Sequence, residues 1–510
     1  MYLTQGMHRA VQRHPEKTAV RHLADDGQRA LSFAELVDSA ARHASALQAR
    51  GVVAGERVAL LSPNNDRLIT LLWACWWLGA VACPLNTRWS AAELRHALAD
   101  SEARLLVVDP SLLATASALG EGTPLIDSVA FDAEARACAP LPDSRTGGAA
   151  LAALLYTGGT TGKSKGVMLT HAQFWSASMT RAAELNNPPQ GVSLLVAPLF
   201  HVAGLGRLVG QSLVGGTCIT MPNFRPELVA TAIEEQGITD TIMVPSMLQS
   251  LLDMPGLNVA RLQSLNRIAF GAAPMPPDLL DRALQAWPHA EFFQAYGLTE
   301  TAGAICINLP HNHRGEGRAN GLWRSVGRPG LGAEVRLVDG AGDEVPRGTV
   351  GEIEVRGPMV TRGYWKLPEA TAAAFHDGWF RTGDGGRMDA NGYLFIADRL
   401  KDMIISGGEN VYSAEVEAAL RTHPEVVDVA VIGLPDQRWG EAVHAVVVVR
   451  TLAVLQDASQ AAELQAALIT WCRGELAGYK CPRSLHFVET LPMSAAGKVL
   501  KTRLREALRP

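Results

Sequence analysis

The stretch Leu154-Leu155-Tyr156-Thr157-Gly158-Gly159-Thr160-Thr161-Gly162-Lys163-Ser164-Lys165-Gly166-Val167-Met168-Leu169 decides how the chain is read. Two apolar runs flank a loop of glycine, threonine, serine and lysine. Between Gly158 and Lys165 stand three glycines, three hydroxyl side chains and two lysines. Such a loop offers backbone N–H groups, hydroxyls and ammonium groups together, the chemistry that cradles a polyphosphate. A flexible surface hairpin has no need of that combination. A Walker loop requires a glycine five positions before Gly162, where Thr157 stands, and it opens a helix. Here the following run, Val167 to Leu169, reads as a strand. The loop is therefore expected to bind phosphate between two strands, outside the Walker class.

On the N-terminal side, Phe33 to Arg50 reads as an amphipathic helix and Arg57 to Leu61 as a strand. A further strand lies at Arg104 to Val108, so strands and helices alternate as in parallel sheets. Leu68 to Leu85 is eighteen residues without a charge, long enough to suggest a membrane span. Gly79 and Pro84 interrupt it, and a buried helix running into a buried strand fits it better. Residues 320–400 change character, with short β-rich runs at Glu334 to Val338 and Gly351 to Val355 between Gly and Pro turns, as in a small barrel. After Lys401 a new α+β unit begins, with helices from Ala414 and Ala461 and strands at Val426 to Leu434 and Ala442 to Val449. The expected fold is α/β. Residues 1–400 form a large N-terminal domain of parallel-type sheets flanked by helices plus a small β-barrel, and 401–510 form a small α+β domain.

The composition agrees. With 510 residues, 47% hydrophobic and 19% charged, the chain is globular and large enough for several units. A net charge of −5 carries no basic footprint for nucleic acid. The seven cysteines show no CxxC spacing, which argues against a zinc ribbon and a disulfide scaffold. Met1 to Pro15 lacks the apolar core of a signal peptide, and Ala507-Leu508-Arg509-Pro510 is no peroxisomal address, so a cytoplasmic location is expected. Of the 46 basic residues only eight are lysine. Five of those eight, Lys163, Lys165, Lys401, Lys480 and Lys498, fall in the segments singled out here.

Further segments follow in order. They are Pro198-Leu199-Phe200-His201, Gly271-Ala272-Ala273-Pro274, Tyr296-Gly297-Leu298-Thr299-Glu300, Arg381-Thr382-Gly383-Asp384, Asp398-Arg399-Leu400-Lys401-Asp402, Ser406-Gly407-Gly408-Glu409-Asn410-Val411 and Ser494-Ala495-Ala496-Gly497-Lys498-Val499. With Thr157 to Gly166 they resemble, in this order, the motifs of the acyl-adenylate-forming superfamily, and most closely those of bacterial fatty acyl-CoA synthetases. The loop departs from the usual pattern at Gly158, where serine is common, and at Ser164, where proline is common.

The resemblance implies an acid–CoA ligase that uses ATP, coenzyme A and Mg2+. It assigns Thr157, Gly158, Gly159, Thr160, Thr161, Gly162, Lys163 and Lys165 to the phosphates, and Glu300 with Thr160 to the metal. Gly271, Ala272, Ala273, Pro274, Tyr296 and Gly297 would hold the adenine, Thr299 the α-phosphate, and Asp384 the ribose hydroxyls. Arg399 would reach the ribose or phosphate. His201 would lie beside the acid's carboxylate, and Lys498 would bridge that carboxylate and the α-phosphate. Lys401 would be the hinge, Gly408 would line the pantetheine channel, and Trp439, Lys480 and Arg483 would meet coenzyme A. Val202, Ala203, Gly204 and Arg207 would begin the acyl pocket, where an arginine is costly unless paired.

A fatty or medium-chain acid is the first expectation for the substrate, and an aryl acid such as a hydroxycinnamate or benzoate the second. A luciferase-like oxygenase, a stand-alone adenylating enzyme and a non-enzymatic nucleotide-binding module are the other readings; the last predicts no pyrophosphate exchange. The partners expected are small molecules, with no nucleic acid and no integral membrane span. Peripheral membrane contact, and monomer or homodimer, are left open.

Overall fold

A computed structural model of the chain describes residues 1–24, 27–120, 122–157, 163–186, 188, 190–399, 402–406, 409–436, 438–494 and 498–508. They form two compact units. One holds residues 1–335 and 355–380, the other 336–354 and 381–510. The division expected at 400 falls inside the second unit. Leu400 and Lys401, the residue expected as the hinge, lie outside the described residues.

The first unit is built on two sheets. The six-stranded one runs Leu125–Asp127, Leu105–Val108, Arg57–Leu61, Val81–Pro84, Leu151–Thr157, Lys165–Thr170. Its first five strands are parallel, and the last turns back as an antiparallel hairpin on Leu151–Thr157. Leu105 to Val108 are all buried, as befits a strand covered on both faces. The helix Phe33–Ala49 starts where Ser32 and Glu35 form a reciprocal cap, each side chain bonding the other's backbone N–H. The run from Leu68 to Leu85 is buried throughout. Asn65 caps its helix, Asp66–Leu78, and Gly79, at φ 83°, turns the chain into the strand Val81–Pro84. No described helix is long and apolar enough to cross a membrane.

The second sheet has nine strands. Six of them are parallel neighbours: Thr18–Ala24, Thr217–Thr220, Val192–Leu195, Asp240–Met243, Arg267–Gly271 and Glu291–Leu298. Antiparallel strands close both edges, Gly27–Ser32 on one side and Gly303–Asn308 followed by Arg328–Pro329 on the other. Leu194, Ile219, Ile268, Phe270 and Phe292 pack with Ile233, Leu248, Leu280 and Trp287 into one buried cluster.

The expected small barrel is an open five-stranded half-barrel. Its strands run Glu334–Val338, Val350–Arg356, Trp379–Met388 and Phe375–His376, with Leu394–Arg399 paired on Trp379–Met388. Within the second unit, the strand Gly440–Val449 lies between Val426–Asp436 and Ile404–Ser406, and Ser484–Val488 pairs with it in parallel. Val429, Val431, Val443, Ala445 and Val447 face Val416 and Leu420 of the helix Ser413–Arg421 and Leu468 and Cys472 of Ala458–Glu475.

Candidate active site

The loop that decides the reading joins the antiparallel strands Leu151–Thr157 and Lys165–Thr170, with Thr157 opposite Lys165 and Tyr156 opposite Gly166. Gly158, Gly159, Thr160, Thr161 and Gly162 lie outside the described residues. Lys163 is exposed. Gly166 is glycine because a Cβ there would come within 3.1 Å of the Tyr156 ring. The Tyr156 hydroxyl donates to Asp100 at 2.7 Å. His96 Nε2 donates to the Ser164 carbonyl at 2.9 Å, which anchors the loop at the position where the family usually has proline.

Thr299, Glu300 and Thr301 form a buried turn between Glu291–Leu298 and Gly303–Asn308. The turn is tight: a Cβ on Gly297 would sit 1.9 Å from the Gly303 carbonyl. A distant segment holds the turn against the hairpin of Leu151–Thr157 and Lys165–Thr170. The Thr361 N–H donates to the Glu300 carbonyl at 2.6 Å, and the Thr361 hydroxyl to the Met168 carbonyl at 2.7 Å. The Trp365 N–H donates to Gly166 at 2.8 Å. Between them, the Tyr364 hydroxyl donates to Glu300 Oε1 at 3.0 Å while the Lys165 ammonium lies 4.9 Å from the centre of the Tyr364 ring. Burial and the Glu300 charge push the Tyr364 phenol above its ordinary range.

Gly271 ends the strand Arg267–Gly271, where a Cβ would meet the Ala295 carbonyl at 2.5 Å. Ala272 follows in the left-handed region at φ 67°, a conformation that costs a non-glycine residue about 1 kcal/mol or more. The sequence reading placed Ala273, Pro274, Tyr296 and Gly297 with them; Tyr296 and Gly297 stand on the neighbouring strand Glu291–Leu298.

His201 caps the helix Val202–Val214, its Nδ1 accepting from the Ala203 N–H at 3.2 Å. A neutral ring in that arrangement carries its proton on Nε2. Gly204 allows the first turn to fold onto the preceding loop, since a Cβ there would lie 2.2 Å from the Pro198 carbonyl. Asn64 fixes that loop from another element. Its amide donates to the carbonyls of Leu195 and Ala197 at 3.1 and 2.9 Å and accepts from the Leu199 N–H at 2.8 Å. Arg207, expected at the acyl pocket, forms a buried ion pair with Asp240 and donates to the Ser193 hydroxyl at 2.9 Å. Burial pulls its pKa down to about 10. The arginine is thus paired with a carboxylate on the strand Asp240–Met243.

In the second unit Asp384 is buried, and its backbone N–H is held by the Thr382 hydroxyl at 3.1 Å. It stands opposite Arg399 in the register of their strands. Lys498 closes a turn: its N–H donates to Ser494 Oγ at 3.0 Å, and its carbonyl accepts from the Ser494 N–H at 2.7 Å. Trp439 is brought to Arg483, whose guanidinium lies 4.1 Å from the indole, with Arg438 at 4.9 Å from it. Lys480 instead pairs with both oxygens of Glu415 at 2.7 Å, which raises its pKa. Gly408 lies outside the described residues.

Sequence reasoning missed Asn64 and Tyr364. Each acts on a residue far along the chain. The available signals were an Asn64-Asn65 pair ahead of an apolar helix, and Gly363-Tyr364-Trp365 after a β-rich run.

The sequence pattern of the AMP-binding enzyme family matches residues 7–365, and that of the AMP-binding enzyme C-terminal domain matches 415–498. A feruloyl-CoA synthase of Amycolatopsis is 42% identical over 96% of both chains. A long-chain-fatty-acid–CoA ligase of Mycobacterium tuberculosis is 37% identical over 93% of both. Among solved structures, ATP-bound MatB of Rhodopseudomonas palustris covers 99% of each chain at TM-score 0.88 and 33% identity. The o-succinylbenzoate CoA synthetase of Bacillus subtilis, in complex with its acyl-adenylate intermediate, covers 99% of this chain and 98% of its own at TM-score 0.86 and 32% identity.

Proposed function

The chain belongs to the AMP-binding enzyme family and is an acyl-CoA synthetase, and we propose that its acid is an aryl acid of the hydroxycinnamate type. The observation that carries the choice of acid is the 42% identity to a feruloyl-CoA synthase over nearly the whole of both chains. Sequence alone put a fatty acid first. That second reading keeps the support of the mycobacterial long-chain ligase, at 37% identity.

In the proposed mechanism the acid's carboxylate attacks the α-phosphorus of ATP and expels pyrophosphate, leaving an acyl-adenylate. The thiol of coenzyme A then attacks the acyl carbon and expels AMP. The first step brings an anion to a polyanion, so stabilising negative charge dominates its barrier. Lys163, Lys165 and the N–H groups of the loop 158–162 hold the phosphates. Lys498 bridges the carboxylate and the α-phosphate. His201 donates to the carboxylate from Nε2, and its Nδ1, engaged by Ala203, keeps the ring in that orientation. Thr299 contacts the α-phosphate, and Tyr296 with Gly271 to Pro274 holds the adenine.

Glu300 suits Mg2+: a single hard carboxylate completed by substrate phosphates is that ion's usual setting. Glu300 with Thr160 would hold the ion, which when bound neutralises phosphate charge. Trp439 and Arg483 offer a ring and a cation to coenzyme A, while Lys480 is engaged by Glu415. Rotation about Lys401 would exchange the set for the first step for that of the second, bringing Gly408 to the thiol's path.

Product analysis tests this reading. Incubation with ATP, coenzyme A and ferulate should yield the thioester with AMP and pyrophosphate in equal amounts. ADP and phosphate as products would overturn it, and a strong preference for hexanoate over ferulate would favour the second reading.

A further inference from the structure

Arg181 stands on the helix His171–Leu185, which packs against the helix Val202–Val214 that starts after His201 and against the strand Gly303–Asn308 that follows the Glu300 turn. One terminal nitrogen, Nη2, donates to the Gly206 carbonyl at 2.6 Å and to the Ser178 hydroxyl at 3.3 Å. The other, Nη1, lies where a Cβ on Gly206 or Gly303 would come within 3.2 or 3.1 Å of it. A Cβ on Gly210, one turn on, would lie 3.2 Å from Nη2. Three glycines on two elements thus make room for one guanidinium.

Among the described residues no carboxylate pairs with Arg181. The nearby Asp240 is bound to Arg207, and Arg181 adds to the positive charge at Arg207. Burial pulls the Arg181 pKa down to about 10, yet the residue keeps partial solvent exposure. A guanidinium offers five N–H donors in a planar fork. Among the described residues the protein supplies acceptors to one nitrogen alone, and leaving the rest of a buried cation unmatched is unfavourable. Gly206 lies about 7.5 Å along the helix from His201 at the α-helical rise, comparable with the span of a phenyl ring and a short side chain.

Resting on the acid–CoA ligase reading, we infer that Arg181 is the specificity residue for the far end of the acid, where it binds an oxygen acceptor, a phenolic hydroxyl or a second carboxylate. A plain alkyl or phenyl end leaves the fork unmatched and is selected against.

The experiment compares kcat/KM by pyrophosphate release for matched pairs, 4-hydroxycinnamate against cinnamate and adipate against hexanoate. It uses the full-length wild type, Arg181→Gln and Arg181→Met. The wild type should favour the oxygen-bearing member of at least one pair by about tenfold or more. The pair that responds identifies the acceptor. Both variants should bring that ratio close to one. Glutamine keeps a donor for the Gly206 carbonyl, so its melting temperature shows whether the helices still pack. A wild type with no preference in either pair, or variants that lower both members in parallel with the ratio kept, overturns the role of Arg181 and leaves the ligase reading standing. Pyrophosphate release with no acid at all overturns both.

Discussion

At the scale of single residues, two side chains that touch no substrate are assigned to placing groups that do. Tyr364 donates to Glu300, and replacing it with phenylalanine removes a bond of the charge-assisted kind, about 1.5–3 kcal/mol. Tyr364→Phe should raise the Mg2+ concentration giving half-maximal pyrophosphate exchange severalfold, alongside a modest fall in melting temperature. An unchanged Mg2+ dependence would remove Tyr364 from the site. Asn64 pins the segment before His201 with three bonds in the interior. Asn64→Ala leaves two carbonyls and an N–H unmatched, at about 1–3 kcal/mol each before any water enters. It should lower the melting temperature and cut kcat/KM for the acid by tenfold or more, with a smaller effect on KM for ATP. The motif residues were legible because each motif is contiguous: Tyr296 to Glu300 makes one strand end and one turn. Asn64 and Tyr364 were not, because their partners are 135 and 64 positions away and only the tertiary fold joins them.

At the scale of elements, the helix Val202–Val214 is tied to the nine-stranded sheet by Arg207, which meets Asp240 and Ser193. Removing one partner of a buried ion pair costs about 3–5 kcal/mol, because the other is left uncompensated. Arg207→Leu should therefore lower the melting temperature and reduce activity on hexanoate and 4-hydroxycinnamate alike. Arg207→Met combined with Asp240→Leu should recover much of the loss. A selective loss on one acid would instead put Arg207 in the acyl pocket. Elements such as the helix Phe33–Ala49 and the strand Arg57–Leu61 were readable from their apolar pattern. The role of Arg207 was not, since a lone arginine in a helix carries no mark of a partner on a strand 33 positions later.

At the scale of the whole molecule, three buried histidines couple stability to acid. Burial pulls His171, His313 and His444 from 6.5 to about 4. They are neutral in the fold and protonated in the unfolded chain below about 6.5, so the unfolded chain binds more protons there. Their contribution is complete above about pH 6.5 and is lost as the pH falls toward 4. The melting temperature should fall over that window, and His313→Asn should flatten part of the slope; a slope unaltered by the substitution would exclude His313. The broad class was legible at this scale because eight motifs keep their order over most of the chain. The exchange of active sets about Lys401 rests on resemblance alone, for a linear sequence does not record a motion. The central claim is that the enzyme passes through an acyl-adenylate, and acid-dependent exchange of radiolabelled pyrophosphate into ATP in the absence of coenzyme A tests it most directly. Exchange should appear with the wild type and vanish with Lys498→Ala, while that variant still converts supplied acyl-adenylate and coenzyme A to thioester. A wild type that forms thioester yet exchanges no pyrophosphate without coenzyme A would contradict the account.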